Sequence, residues 1–107
     1  MEKHVEIGCL LDLYGKFLTE RQRTVTEQTV YEDCSLAEIA EREGISRQAV
    51  RDALMRAETQ LTEMENELGL MRLQNGLREL RGMLRGNPKA EEKIDALLLT
   101  IGGNDGV

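Results

Sequence analysis

The amino-acid sequence predicts an all-α protein, a helix-turn-helix bundle with a C-terminal helical extension. Apolar residues recur at intervals of three and four along most of its 107 residues, which is the spacing of one helix face. Only three residues are aromatic, so the core must consist mainly of Leu, Ile, Val, Ala and Met, residues that pack well between helices. Paired start and stop signals divide this pattern into separate helices. The length suits one domain with an appended element.

Two helices are expected before residue 35. The first extends from Val5 to Leu18, with a predicted buried face of Val5, Cys9, Leu10, Leu13, Tyr14, Phe17 and Leu18. A capping box of Thr19 and Gln22 then starts a second helix, which we expect to run to about Glu32. This second helix has few large apolar residues, so its contribution to the core is expected to be weak.

Local signals predict a helix-turn-helix between residues 35 and 56. Ser35 and Glu38 form a second capping box, and Gly44 stands where a helix ends in the left-handed conformation. Ser46 is then the N-cap of the next helix. Counted from Leu36, the small, glycine and aliphatic residues that the motif needs stand at the fifth, ninth, tenth and fifteenth places, as Ala40, Gly44, Ile45 and Val50.

The outward face of the second helix of this motif is the candidate DNA-binding surface. Its solvent-facing positions are expected to be Arg47, Gln48, Arg51, Asp52, Met55 and Arg56. Arg can bind guanine bidentately and Gln can bind adenine, and residues near the start of a recognition helix reach base edges. We therefore predict that Arg47 and Gln48 contact bases or phosphates, and that Arg51 and Arg56 contact phosphates. The predicted DNA-binding set is Ser46, Arg47, Gln48, Arg51, Asp52 and Arg56.

Two other interpretations of these residues stay open. The charges could form an ordinary solvated face, with Arg51 near Glu58 and Arg47 near Glu43. Helix-turn-helix geometry also occurs in pure interaction domains, so the same helices could dock on a targeting or translation factor without touching nucleic acid. The net charge of −6 favours that alternative. Residues 35–56, however, are neutral overall, so they repel a phosphate backbone least.

Four stretches of the sequence together form a specific pattern: Leu10-Leu11-Asp12-Leu13-Tyr14-Gly15, Leu18-Thr19-Glu20-Arg21-Gln22-Arg23, Ser35-Leu36-Ala37-Glu38-Ile39-Ala40-Glu41 and Gly44-Ile45-Ser46-Arg47-Gln48-Ala49-Val50. This pattern closely resembles the YlxM-like family of small bacterial helix-turn-helix proteins over about residues 4–70. Members of that family look like the fourth region of sigma factors, which reads promoter DNA, and their domain is winged-helix-like. The resemblance implies that Arg47 and Gln48, in the Ser-Arg-Gln-Ala motif, face the DNA.

The resemblance also implies a role in the signal recognition particle pathway. The family's gene usually neighbours the genes for the signal recognition particle GTPase and its receptor, so a component of that particle is an expected partner. The sequence departs from the family's usual pattern at Arg51, where many relatives carry Tyr; the change adds charge for phosphate and removes a stacking group. It departs also in the second helix, where aromatic and leucine positions are replaced by Val25, Thr26, Gln28, Thr29 and Val30.

Residues 69–107 are predicted to form a helical extension to a first domain at residues 1–68. A phase break at Gly69 requires a kink or turn there, and Gly86-Asn87-Pro88 separates two further helices. The first has the apolar seam Leu70, Leu73, Leu77, Leu80 and Leu84. The second has the stripe Ala90, Ile94, Leu97, Leu98 and Ile101. The tail beyond residue 101 is expected to fray.

Opposite charges in the extension favour a homodimer. Residues 57–69 carry four glutamates and no basic residue, whereas residues 70–89 carry five basic residues against one glutamate. These segments could pair antiparallel, either across a two-fold axis or within one chain as a hairpin that completes the core. A dimer would place two recognition helices on successive major-groove faces of DNA.

Catalysis, cofactor binding and membrane insertion are not expected. The sequence has no Gly-rich phosphate loop, no nucleophile with a nearby base and no suitably spaced carboxylate pair, so we predict neither an enzyme nor a small-molecule substrate. Cys9 and Cys34 lack a Cys-x-x-Cys motif or a His cluster, which leaves a metal site or disulfide framework unsupported. With no membrane span and no signal peptide in the pattern, the expected location is the cytoplasm.

Overall fold

Six α-helices make up residues 2–102, the part of the chain that the computed structural model describes. They are α1 (Lys3–Tyr14), α2 (Glu20–Val30), α3 (Leu36–Glu43), α4 (Arg47–Leu68), α5 (Leu70–Met83) and α6 (Pro88–Gly102), with a 3₁₀ turn at Gly15–Phe17. This range contains no β-strand, so the all-α prediction is confirmed and no β-hairpin wing accompanies the helix-turn-helix there. Within the same range, no helix is long and apolar enough to span a bilayer. The tail predicted to fray begins at Gly102, which is the last residue of α6; residues 103–107 lie outside the described residues.

The predicted capping boxes start α2 and α3. The Thr19 hydroxyl accepts a hydrogen bond from the Gln22 backbone amide at 3.1 Å, and the Gln22 side chain accepts one from the Thr19 amide at 3.1 Å. Ser35 and Glu38 form the same reciprocal pair at 3.1 and 2.8 Å. Each box satisfies two amides that have no partner within the helix. These local bonds fix where the two helices begin.

The first segment buries most of the predicted face but differs at its edges. Leu10, Leu13, Tyr14 and Leu18 are buried as predicted, whereas Val5 is 53% exposed and Phe17 is 61% exposed. Ile7 and Leu11, which were not predicted, are buried as well. Because α1 is apolar around much of its circumference, three-and-four spacing did not determine where the buried face ends. The α-helix also ends at Tyr14, where the 3₁₀ turn begins.

The polar second helix contributes three buried residues to the core, Val25, Thr26 and Gln28. Val25 is completely buried and packs with Ile39 and Val50. Thr26 is 1% exposed, and its hydroxyl donates to the Gln22 carbonyl at 2.7 Å, so its burial leaves no unpaired donor. The helix ends at Val30, two residues earlier than predicted.

Two buried clusters hold the helices together, and α4 belongs to both. The first cluster lies between α1 and α4 and consists of Ile7, Leu10, Leu11, Leu13, Tyr14, Leu18, Ala57 and Leu61. The second lies beneath the helix-turn-helix and consists of Val25, Ile39, Ala40, Val50 and Ala53. Because a single helix of 22 residues contributes to each, the recognition half of α4 is held rigidly to the rest of the bundle.

A buried tyrosine fixes the junction between α4 and α5. Tyr14 is fully buried; its hydroxyl donates to Glu65 Oε1 at 2.8 Å and accepts from the Leu70 amide at 2.9 Å. The Glu65 carboxylate also accepts from the amides of Met71 and Arg72 at 2.9 and 3.0 Å. These three amides belong to the first turn of α5, which would otherwise lack acceptors. The contact therefore ties α1 to the start of α5.

The predicted turn at Gly69 is present, and the extension folds into a helical pair. Gly69 has a φ of 68° and ends α4 in the left-handed conformation. Arg81 of α5 binds α6 through Asp95 at 2.7 Å and Glu91 at 3.8 Å. Among residues 2–102, no ion pair joins α4 to α5. The acidic end of α4 and the basic α5 thus form no ion pairs of an intrachain hairpin, which was the alternative to a dimer, and α5 is paired with α6 instead.

Stability is expected to fall as the pH rises above 10. Burial raises the pKa of the Tyr14 hydroxyl above its ordinary value near 10. Tyr31 is about half exposed, and its partial burial together with its hydrogen bond to Asp12 also raises the pKa of its hydroxyl. Each tyrosine therefore loses its proton more readily in the unfolded chain. The two hydroxyls contribute fully to the free energy of unfolding below pH 10, and this contribution is lost as the pH passes their folded pKa values. Urea unfolding at several pH values on either side of 10 measures how the free energy of unfolding depends on pH. The Tyr14→Phe/Tyr31→Phe variant should lose most of this pH dependence. An equal slope in that variant would contradict the assignment to these hydroxyls.

Candidate nucleic-acid interface

The helix-turn-helix is closed by glycine and an inward-facing isoleucine. Gly44 ends α3 with a φ of 68°, a conformation that residues with a Cβ adopt at a cost. The amide of Ile45 donates to the Ala40 carbonyl at 3.0 Å, and its side chain packs on the second cluster. Ser46 then caps α4 by accepting from the Ala49 amide at 3.0 Å. The predicted motif is therefore formed by the predicted residues.

All six side chains predicted to face solvent on the recognition half of α4 are exposed. They are Arg47, Gln48, Arg51, Asp52, Met55 and Arg56. The opposite face of the same helix carries Val50, Ala53 and Ala57, which are buried. The buried face leaves the helix only one orientation, so the structure brings the six together on a single surface. Ser46 lies at the end of that surface and is also exposed.

The Gln48 side chain is held by two neighbours on the same helix. Its Nε2 donates to Asp52 Oδ1 at 2.8 Å, and its Oε1 accepts from Arg51 Nη1 at 3.1 Å. A carboxamide has two N–H donors and two acceptor lone pairs. One donor and one acceptor site therefore remain free on an amide whose orientation is already fixed. Sequence analysis placed these residues on one face but missed their mutual bonds, which the i, i+4 spacing of Gln48 and Asp52 could have indicated.

The arginines of this surface are available to an external anion. Within residues 2–102, Arg47, Arg51 and Arg56 form no ion pair. The acidic residues that could have neutralised them have other partners. Glu58 binds Lys3 at 3.0 Å. Glu43 accepts a hydrogen bond from Gln28 at 2.8 Å.

Comparison with known proteins identifies the family. Residues 1–99 match the model of the family UPF0122, described as "Putative helix-turn-helix protein, YlxM / p13 like". The chain belongs to the UPF0122 family. The family prediction is therefore confirmed, and the UPF0122 match extends through α5 and most of α6, well past the residue near 70 where the sequence resemblance ended. The extension is thus part of what the family shares.

Individual UPF0122 relatives cover most of this chain. A UPF0122 protein of Clostridium botulinum is 42% identical over 93 residues, which is 87% of this chain and 84% of the relative. One from Clostridium kluyveri is 43% identical over 79 residues, 74% of this chain and 71% of the relative. One from Bacillus licheniformis is 37% identical over 101 residues, 91% of this chain and 94% of the relative. The similarity therefore includes both the helix-turn-helix and the helices that follow it.

Proposed function

We propose that this protein is a regulatory DNA-binding protein that reads duplex DNA through the first half of α4. The observation that carries the proposal is the exposed face of a capped recognition helix, where three arginines without ion pairs lie on the same surface as an amide held by two hydrogen bonds. Arginines supply the charge that binds phosphates, and a fixed amide supplies base discrimination. The predicted DNA-binding set of six residues, Ser46 to Arg56, remains the candidate contact surface.

In the proposed complex, Gln48 reads a base. Bidentate recognition of adenine requires one N–H donor for N7 and one oxygen acceptor for the N6 amino group. Gln48 has one of each left after its bonds to Asp52 and Arg51. Because those bonds already hold the amide, binding costs little further side-chain entropy.

The proposed active form is a homodimer in the cytoplasm, which acts in the signal recognition particle pathway or regulates it. Two copies would present two recognition helices to one duplex and double the number of arginines that face phosphate. Each copy carries a net charge of −6, so the attraction to phosphates must come from the arginines gathered at the two recognition helices. The link to the signal recognition particle follows from the YlxM-like resemblance.

Salt dependence of binding tests the proposal. We expect affinity for a mixed-sequence duplex, measured by fluorescence anisotropy, to fall steeply with salt, with a log–log slope of about −0.9 for each phosphate contacted. The Arg47→Ala/Arg51→Ala variant should bind more weakly and show a shallower slope, because about 0.9 is lost for each phosphate contact removed. If both arginines contact phosphates, the change is about 1.8 for each copy on the duplex and about 3.6 for the proposed dimer.

The matched control removes two arginines from elsewhere. Arg78 and Arg85 are exposed and form no ion pair in the described part of the chain, so the Arg78→Ala/Arg85→Ala variant makes the same change in net charge. It should keep the wild-type slope. If this control loses as much affinity as the recognition-helix variant, bulk charge and not α4 carries the binding.

Asp52 is expected to weaken binding to all DNA sequences while it supports the preference for one sequence. Asp52→Asn removes a negative charge from the DNA-facing surface but keeps an oxygen that can accept from Gln48, so binding to all sequences should strengthen and the preference for one sequence should persist. Asp52→Ala removes the charge and also frees Gln48, so binding should strengthen while the preference weakens. Competition between a selected duplex and a mixed-sequence duplex measures both. Equal preference in the two variants would show that the Asp52 bond does not position Gln48.

A protein-interaction adaptor is the second candidate function. The net charge of −6 and the 61% exposure of Met55 near the far end of the recognition surface favour it. An adaptor would dock on a targeting or translation factor through the same helices. Its binding would depend far less on salt than a contact with phosphates, so the anisotropy series separates the two functions.

A further inference from the structure

Helix α5 leaves apolar side chains uncovered along its outer side. None of its residues is buried; Leu73 is 50% exposed, Leu80 is 41% exposed and Met83 is 80% exposed. The predicted leucine seam is therefore in place but only partly used by α6. Apolar residues in a contiguous group, unlike single ones, mark a contact surface.

Two of these side chains, Leu73 and Leu80, line a shallow groove with a basic edge, which we call the α5 groove. It has a volume of about 540 Å³, and its apolar lining consists of Leu68, Leu73, Leu77 and Leu80. Arg72, in the first turn of α5, also lines it. Gly76 lies in its floor, where an added Cβ would meet nothing within 4 Å. A partner helix could approach closely at that point.

An apolar patch with an acidic edge adjoins the groove, and we call it the α4 patch. Its apolar part is formed by Phe17, Met64 and Leu68. Phe17 is 61% exposed and Leu68 is 63% exposed. Glu63 and Glu67 stand at its edge. The patch therefore matches the groove in its apolar centre and opposes it in charge.

We infer that a second copy of this chain packs on this surface, with the α5 groove of each copy on the α4 patch of the other. Leu68 lines both parts, so they form one continuous surface that is acidic on one side and basic on the other. A two-fold axis near Leu68 brings each basic edge onto the partner's acidic edge, which is the self-complementarity an isologous dimer requires. Arg72 then faces Glu67 of the second copy.

The position of this surface leaves the recognition residues free. Leu68 and Arg47 are the two ends of α4, which at 1.5 Å per residue lie about 30 Å apart. Dimerisation at one end of the helix does not cover the other. The inference extends the homodimer of the proposed function by naming its contact, and it is tested without DNA so that the two can fail separately.

Sedimentation equilibrium over a wide range of protein concentration provides the first test. The wild type should show a reversible monomer–dimer equilibrium. The Leu73→Glu/Leu80→Glu variant should raise the dimer dissociation constant by at least about tenfold, because it places charges in the apolar centre of the contact. The Leu99→Glu variant is the control, since Leu99 is 74% exposed on α6 and lines neither part of the surface. Circular dichroism checks that every variant retains its helices.

A charge exchange tests whether the partner is a second copy in the stated orientation. Arg72→Glu and Glu67→Arg should each weaken self-association, because each places like charges opposite one another. A mixture of the two variants should form a heterodimer tighter than either homodimer, since both of its contacts then join opposite charges. Arg72 contributes only its backbone amide to Glu65, but its guanidinium lies beside Gly69 and its charge acts on Tyr14. Urea unfolding of both variants is therefore measured alongside their self-association.

Three results would overturn the inference. The wild type could remain monomeric at every concentration, the leucine variant could dimerise as strongly as the Leu99→Glu control, or the mixed variants could show no preference for one another. A dimer together with absent DNA binding would leave this inference intact and reject the proposed function. A monomer that binds DNA would do the reverse.

Discussion

The Leu61→Ala variant is expected to lose about 2 to 5 kcal/mol of unfolding free energy. Leu61 is completely buried in the cluster where α4 packs on α1. Truncation to alanine removes apolar contacts and leaves a cavity that rigid helices on both sides cannot close. A loss of this size is a large share of the stability of a small domain. Urea unfolding followed by circular dichroism measures it.

A neighbouring variant separates the cavity from any effect on helix propensity. Thr62 is exposed on the same helix, so Thr62→Ala should change the unfolding free energy by no more than about 0.5 kcal/mol. If Leu61→Ala also changes it by so little, α4 does not rest on α1 as described. The orientation of the recognition surface would then need another support.

Single substitutions at the start of α4 are expected to give the largest loss of specific DNA binding. On a duplex selected by the wild type, Arg47→Ala or Gln48→Ala should cost about 1 to 3 kcal/mol, which is about 5- to 150-fold in affinity. A base-reading residue should also lose its preference at one base pair, whereas a phosphate-binding residue should lose affinity on all sequences alike. Anisotropy titrations on the selected duplex and its single-base variants distinguish these two roles.

Met55→Ala is the control for these substitutions. Met55 lies on the same face, further along α4, and has no charge or amide to offer. Its removal should change affinity for the selected duplex much less. If Met55→Ala were the most damaging of the three, an apolar protein contact would explain this face better than DNA does.

Features set by neighbouring residues were predictable from the sequence. The capping boxes at Thr19 and Ser35, and the left-handed glycines at Gly44 and Gly69, all depend on residues within one or two turns. Their side-chain chemistry decides the outcome with little help from the rest of the fold. For that reason the order of the helices and the helix-turn-helix were predicted correctly.

Features set by distant residues were not predictable in this way. The hydrogen bond from Tyr14 to Glu65 joins residues 51 positions apart, and no local pattern indicates it. The buried face of α1 depends on where α4 lies, so the spacing alone predicted burial for Phe17, which is exposed. The spacing predicted the leucine seam of α5 but not which element covers it, and α6 covers only part of it.

The candidate site was predictable as a surface but not as an arrangement. Helical periodicity placed Arg47, Gln48 and Arg51 on one exposed face, because the spacing of residues along a helix determines which of them share a face. The bonds that hold the Gln48 amide depend on side-chain rotamers, which spacing does not determine. Which of these residues contacts DNA stays a prediction.

Selection of bound fragments from sheared genomic DNA at near-physiological salt tests the central claim most directly. The wild type, the Arg47→Ala/Arg51→Ala variant and the Arg78→Ala/Arg85→Ala control are run in parallel. We expect the wild type and the control to enrich one common sequence, and the recognition-helix variant to enrich none. If the wild type enriches no sequence, or if all three enrich the same one, the first half of α4 is not a DNA-reading surface.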